Sequence, residues 1–168
     1  ALAATKNGRV GMIATQASVR SGAYERTLHA LDPAAAVFQR ACPLFVPLAE
    51  EGRTHPGDLV IETLAEEYLA PLRADGVDTL ILGCTHYPLL KEVIANVMGP
   101  GVALIDSGEE SAKELQRLLT ASDSLGKPQG GRAEFCVSDR VEDFQRLASA
   151  FLGEELAQPP RRVEVGDV

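Results

Sequence analysis

The sequence has no tryptophan, and aromatic residues make up only 5% of its 168 residues. No apolar run approaches the roughly 20 residues that cross a bilayer, so we expect no membrane partner. Acidic residues (24) outnumber Lys and Arg (16), and the formal net charge of −8 disfavours binding to nucleic acid, which needs clustered positive charge. Neither G-x-G-x-x-G nor a Walker motif occurs, which disfavours a nucleotide-binding role.

Cysteine and histidine are also sparse. Cys42, Cys84 and Cys136 are widely spaced and form no C-x-x-C, so neither a disulfide framework nor a zinc site is predicted. The three histidines lack H-x-x-x-H spacing, so we expect no metal. A reducing cytoplasm is the simplest setting. The opening residues do not form a signal peptide and do not begin with Met, so we expect a cytoplasmic chain that is trimmed or incomplete.

Strand-like and helix-like segments alternate along the chain, which predicts an α/β fold with a mostly parallel sheet flanked by helices. Strands are predicted at 9–14, 37–41, 77–83 and 102–106, and helices at 18–31, 59–73 and 88–98. Pro71 should kink or end its helix. Ser107 and Glu110 form a capping-box pattern, which predicts Ser107 as the N-cap of another helix.

The C-terminal part differs in composition. Residues 122–131 are rich in Gly, Ser and Pro and read as a linker. A strand at 133–138 and a helix at 140–152 follow, and the tail is either an edge strand at 163–165 or disordered. We expect Cys42 and Cys136 to be core residues.

The segment Gly83-Cys84-Thr85-His86-Tyr87-Pro88 concentrates reactive side chains. Its cysteine follows the clearest strand and precedes a helix, the end of an open parallel sheet at which ligands bind. Free N–H groups at a helix start favour a thiolate or a substrate carboxylate, and His86 could hold or receive a proton. The alternatives are a buried small cysteine and a capping or core histidine. A cysteine phosphatase is disfavoured because Leu90, not Arg, lies six residues after Cys84.

This segment resembles the second-cysteine motif of glutamate racemases. Three further stretches resemble family blocks, in the family's order: 11–21 (GMIATQASVRS), 42–52 (CPLFVPLAEEG) and 105–108 (IDSG). Together the four blocks cover about residues 8 to 120. The chain is therefore identified as a member of that family, and the linker and last helix resemble the family more loosely.

The resemblance implies an isomerase that interconverts L- and D-glutamate, the latter for peptidoglycan, without metal or pyridoxal phosphate. Two cysteines act on opposite faces of the α-carbon, since inversion by proton transfer needs a base on one face and an acid on the other. By resemblance the catalytic residues are Cys84, His86 and Glu50, and the substrate-binding residues are Thr85, Thr15 and Ser18. Ser18 stands where the family usually has threonine. Capping of the first helix remains the alternative for Thr15 and Ser18, and a solvated acid the alternative for Glu50.

The resemblance also implies two α/β lobes. Residues 1–108 look like the second lobe, and 109–168 like a connecting helix, a linker and a strand–helix segment that completes the first. The first-lobe motifs D-S-G-x-G-G and C-N-T do not occur in this sequence. We therefore expect the chain alone to be inactive.

An apolar face in the C-terminal segment should lack its normal cover. It comprises Phe135, Val137, Phe144, Leu147 and Phe151, and we expect it to favour a homo-oligomer. The rival interpretations of the whole chain are a racemase of another acidic amino acid, such as aspartate, a decarboxylating relative, or a non-catalytic remnant.

Overall fold

The computed structural model describes residues 1–126, 131, 133–164 and 166. The chain divides into two compact units, Ala1–Leu118 and Leu119–Val168. Assignment of residues 1–108 and 109–168 to two racemase lobes stays a prediction. Among the described residues, no helix has the length and apolar character needed to cross a membrane.

The first unit is built on a four-stranded parallel sheet in the order β2-β1-β3-β4, which confirms the predicted fold class. Its strands are β1 (Arg9–Ala14), β2 (Ala36–Ala41), β3 (Thr79–Leu82) and β4 (Ala103–Asp106). Its helices are α1 (Gln16–Ser21), α2 (Ala23–Leu31), α3 (Phe45–Glu50), α4 (Leu59–Ala74), a 3₁₀ turn (Tyr87–Leu90) and α5 (Lys91–Met98). A further helix, α6 (Ser107–Ala121), begins in the first unit and ends in the second. The central strands β1 and β3 are almost wholly buried because both faces of the sheet are covered.

Side chains of β1 alternate between two apolar cores. Val10, Met12 and Ala14 pack with residues of α2, whereas Ile13 belongs to the larger core under α3, α4 and α5. This period of two is what a strand between two helical layers requires.

Three predictions about the bounds of helices are revised. The helix predicted at 18–31 is two helices separated by Gly22, whose φ is 62°. Pro71 does not end α4, which continues to Ala74, and a kink at Pro71 stays a prediction. The helix predicted at 88–98 begins as the 3₁₀ turn.

The predicted cap of α6 is wrong by one residue. Asp106 Oδ1 accepts hydrogen bonds from the N–H groups of Gly108 (2.8 Å) and Glu109 (3.2 Å), and Ser107 is already helical. A carboxylate accepts these bonds more strongly than a hydroxyl and also suits the positive helix end.

The second unit contains β5 (Cys136–Val137) paired in parallel with β6 (Arg161–Arg162), and α7 (Val141–Leu152). The edge strand predicted at 163–165 lies earlier, at β6, and residue 165 is outside the described residues, as are 127–130 of the linker. Cys136 is exposed, so its prediction as core is wrong. The half-buried Phe135 and Val137 alternate with it, which leaves Cys136 on the open face of the short sheet.

Candidate active site

Cys84 lies at the carboxyl edge of the sheet, two residues after β3 ends. The N–H of Gly83 donates to Ile13 O at 2.8 Å, which continues the β1–β3 pairing beyond the strand. A Cβ at position 83 would come 2.9 Å from Ile13 O, so only glycine permits this approach. Thr15 follows β1 at the same edge, because neighbouring parallel strands end together.

The structure brings Cys84, His86 and Glu50 into one relay. Cys84 Sγ lies 4.0 Å from His86 Nδ1, and His86 Nε2 lies 3.1 Å from Glu50 Oε1. The His86 side chain is 22% exposed and that of Glu50 45%. When Nε2 donates to the carboxylate, Nδ1 is the nitrogen that can accept a proton from the thiol side.

Thr85 lies beside the same imidazole. Its Oγ1 is 3.4 Å from His86 Nδ1, and the residue is exposed. The hydroxyl is therefore open both to the relay and to a small molecule above the sheet edge.

Thr15 and Ser18 are paired with each other. Their side-chain oxygens are 3.1 Å apart, and the N–H of Ser18 donates to Thr15 Oγ1 at 3.3 Å, which makes Thr15 the N-cap of α1. The capping interpretation is thus observed for Thr15, and a role of either residue in substrate binding stays a prediction. Two hydroxyls near the carboxyl edge of the sheet can still donate hydrogen bonds to the carboxylate of a substrate.

Cys42 is fully buried, which confirms its prediction as a core residue. Burial raises the pKa of its thiol to about 12, opposed in part by the charge of Arg40. Cys42 therefore remains a thiol at neutral pH and cannot supply a thiolate.

Tyr87 is a residue that the sequence interpretation did not single out. Its side chain is fully buried, and its hydroxyl donates to Cys42 O at 3.0 Å. Its position directly after His86 was the available signal. Among the described residues, no three His, Cys, Asp or Glu side chains gather as a metal site.

Several known proteins similar to the chain are glutamate racemases. The Asp/Glu/hydantoin racemase family model matches residues 1–115. The glutamate racemase of Geobacter metallireducens is 46% identical over 157 residues, which cover 93% of this chain and 57% of that protein. The glutamate racemase of Beutenbergia cavernae is 45% identical, over 98% of this chain and 59% of its own length.

Solved structures agree. Glutamate racemase isoform RacE1 from Bacillus anthracis superposes with a TM-score of 0.86 at 32% identity, over 99% of this chain and 60% of that one. The Francisella tularensis enzyme, solved with D-glutamate, gives a TM-score of 0.84 at 34% identity, over 96% of this chain and 59% of that one. The chain thus spans somewhat less than two thirds of the length of these relatives.

Proposed function

The chain belongs to the glutamate racemase family, and from that premise we propose that it is the Cys84-bearing part of an enzyme that interconverts L- and D-glutamate. The proposal rests on one observation above all: a thiol, an imidazole and a carboxylate are aligned at the carboxyl edge of a parallel sheet. Because the relatives are longer, the activity is proposed for a protein of the relatives' length that contains this chain, called the longer protein below.

Cys84 would act as a proton carrier on one face of the substrate. As a thiolate it takes the α-proton of one enantiomer, and as a thiol it returns a proton to the carbanion formed from the other. His86 would accept or return the thiol proton through Nδ1, and Glu50 would hold the tautomer that leaves Nδ1 available. Thr85, Thr15 and Ser18 would donate hydrogen bonds to the substrate, since hydroxyls near the thiol can bind its carboxylates.

Replacement of Cys84 by serine in the longer protein tests this assignment. We expect a loss of interconversion of about 10²–10⁴-fold or more, the usual contribution of a positioned acid–base group. Cys136→Ser is the matched control, because this thiol is exposed and lies in the other unit. Equal activity of the two variants would refute the role of Cys84.

The 168-residue chain alone should not interconvert the enantiomers. Inversion needs two proton carriers on opposite faces, and Cys42 is buried with a raised pKa. Circular dichroism of L-glutamate incubated with the chain would remain constant. Interconversion that disappears in Cys84→Ser would contradict this inference.

Glutamate is proposed over aspartate because the Geobacter and Beutenbergia relatives are named glutamate racemases and the Francisella structure holds D-glutamate. Racemisation rates of the longer protein on both amino acids decide the matter, and faster turnover of aspartate would overturn the choice. Titration of glutamate into the 168-residue chain tests whether the chain binds the amino acid. Binding would indicate a functional part of the enzyme, and no binding would favour a non-catalytic remnant.

We also propose that the second unit mediates self-association. No residue of α7 is fully buried, and Phe151 and Leu152 are 44% and 53% exposed. Exposed large apolar side chains at the end of a helix favour association. Sedimentation at several concentrations should show a dimer or larger species that Phe151→Asp weakens and Gln145→Asp, a change of an exposed polar residue, does not. A monomer at all concentrations would refute it.

A further inference from the structure

We propose that Tyr87 is a positioning residue that holds His86 against Glu50, a role that rests on the function proposed above. His86 and Glu50 come from different elements, the turn after β3 and the end of α3. Their hydrogen bond at 3.1 Å therefore depends on how that turn and that helix are fixed to each other. Tyr87 contacts both of them through its hydroxyl and its ring.

The hydroxyl of Tyr87 anchors the start of α3. Cys42 O accepts two hydrogen bonds, one from Tyr87 Oη at 3.0 Å and one from the N–H of Phe45 at 3.2 Å. Phe45 is the first residue of α3, so the tyrosine and the helix start share one acceptor. On its own side, the N–H of Tyr87 donates to Cys84 O at 3.2 Å, which closes the turn that carries His86.

The ring of Tyr87 restricts the rotation of the same helix. It packs edge-to-face on Phe45, with centroids 5.4 Å apart and planes at 87°. Phe45 in turn packs on Tyr68 of α4 at 5.3 Å and 72°. Both contacts are buried, and such pairs have preferred geometries. Because Glu50 lies five residues after Phe45 on a short helix, a turn of α3 about its axis would move the carboxylate away from the imidazole.

The Tyr87 hydroxyl remains a hydrogen-bond donor to Cys42 O because it stays protonated. Burial raises its pKa well above the ordinary tyrosine value, so the hydroxyl keeps its proton at neutral pH. Tyr87→Phe would retain the ring contact, and Cys42 O would keep its bond from Phe45. The substitution therefore removes the anchor with little change in the core.

The experiment uses the 168-residue chain labelled with ¹⁵N-histidine. We expect Tyr87→Phe to shift the imidazole nitrogen signals of His86 in the direction produced by Glu50→Gln, while those of His29 stay fixed. Ile94→Val, a conservative change in the same core, controls for general loosening and should leave His86 unshifted. Phe45→Leu is the second variant, which tests the ring contact and serves if Tyr87→Phe does not fold.

Alkylation of Cys84 provides a second measurement, made in a Cys136→Ser background. At neutral pH we expect the alkylation rate of Cys84 to fall by about three- to tenfold in Tyr87→Phe, because the charge-assisted contact between His86 and Glu50 is loosened. Folded variants with unchanged His86 signals and unchanged alkylation would overturn the proposal.

Turnover by the longer protein separates this proposal from the proposed function. Tyr87→Phe should lower kcat more than it changes KM, because it disturbs proton transfer rather than binding. An active longer protein whose Tyr87→Phe variant keeps its kcat and its His86 signals overturns the positioning role alone. A longer protein that racemises nothing overturns the function, and the histidine signals still decide the role of Tyr87.

Discussion

Substitution of Gly83 by alanine should strain the junction of β1 and β3 directly before Cys84. The added Cβ would lie 2.9 Å from Ile13 O, 3.1 Å from Met12 Sδ and 3.2 Å from Ala14 Cβ. The nearest of these atoms, the backbone oxygen of Ile13, already accepts a hydrogen bond from the Gly83 N–H at 2.8 Å. Neither strand can therefore move away without lengthening that bond. Overpacking of this kind costs about 1–3 kcal/mol in the free energy of unfolding.

Gly101→Ala is the matched control. Its added Cβ would meet no atom within 4 Å, and its φ is not in the left-handed region. Any glycine-to-alanine change gains about 0.4–1 kcal/mol by restricting the unfolded chain, so the control should be neutral or slightly stabilised. Gly83→Ala should be less stable than the control by about the overpacking cost.

Urea denaturation followed by tyrosine fluorescence measures this difference in the right unit. The sequence has no tryptophan, and its three tyrosines, at 24, 68 and 87, all lie in the first unit. The midpoint of Gly83→Ala should therefore fall while that of Gly101→Ala holds. Equal midpoints would refute the inference that strand contact requires glycine beside Cys84.

Three further outcomes are expected. Cys42 should resist alkylation in the native chain while Cys84 and Cys136 react, as counted by mass spectrometry. The pKa of the Cys42 thiol is about 12 in the folded chain and 9.0 ordinarily, so the thiol contributes fully to stability below about pH 9, and this contribution is lost as the pH rises toward 12. Asp78, whose pKa is lowered to about 2 mainly by the Thr5 hydroxyl, stabilises the fold above its ordinary pKa of 3.8 and loses that effect as the pH falls. In Asp78→Asn the free energy of unfolding should therefore fall less between about pH 6 and about pH 2.5 than it does in the parent chain. Asp106→Ala should cost about 0.5–2 kcal/mol of stability through the lost cap of α6, measured by thermal unfolding.

Each of these outcomes has a result against it. Alkylation of Cys42 at the rate of Cys84 would contradict its burial. An acid-stability profile of Asp78→Asn identical to that of the parent chain would contradict the anchoring of residues 5–7. A larger effect of Ser107→Ala than of Asp106→Ala would restore the serine as the cap.

The relay itself could be predicted only as a set of residues. Cys84 and His86 were predicted because reactive side chains cluster where a strand meets a helix, and Glu50 was added only through the resemblance of residues 42–52 to the family. Nothing in the spacing of positions 50 and 86 fixes a distance of 3.1 Å between their side chains. That contact depends on the packing of α3, a six-residue helix containing a proline that carries too little periodic signal to be predicted.

Errors of prediction follow the same division. The cap at Ser107 was assigned to the preferred residue of a local pattern, whereas the neighbouring carboxylate of Asp106 accepts the bonds in the fold. Cys136 was placed in a core because its neighbours are apolar, whereas a two-stranded sheet in the second unit leaves one face open. The first error is local, because the carboxylate that accepts these bonds lies one residue before Ser107. Only the second was decided by the tertiary surroundings.

By itself the sequence determined the α/β class, the order of the central strands along the chain and the family, because periodicity and short motifs are local properties of the chain. The tertiary structure was needed to show that of the two cysteines predicted as core only Cys42 is buried, which side chains meet at the sheet edge and which tyrosine contacts them. The reason is physical: burial and hydrogen-bond partners arise between residues such as 42 and 87, which are distant in the chain and adjacent only once the sheet has formed.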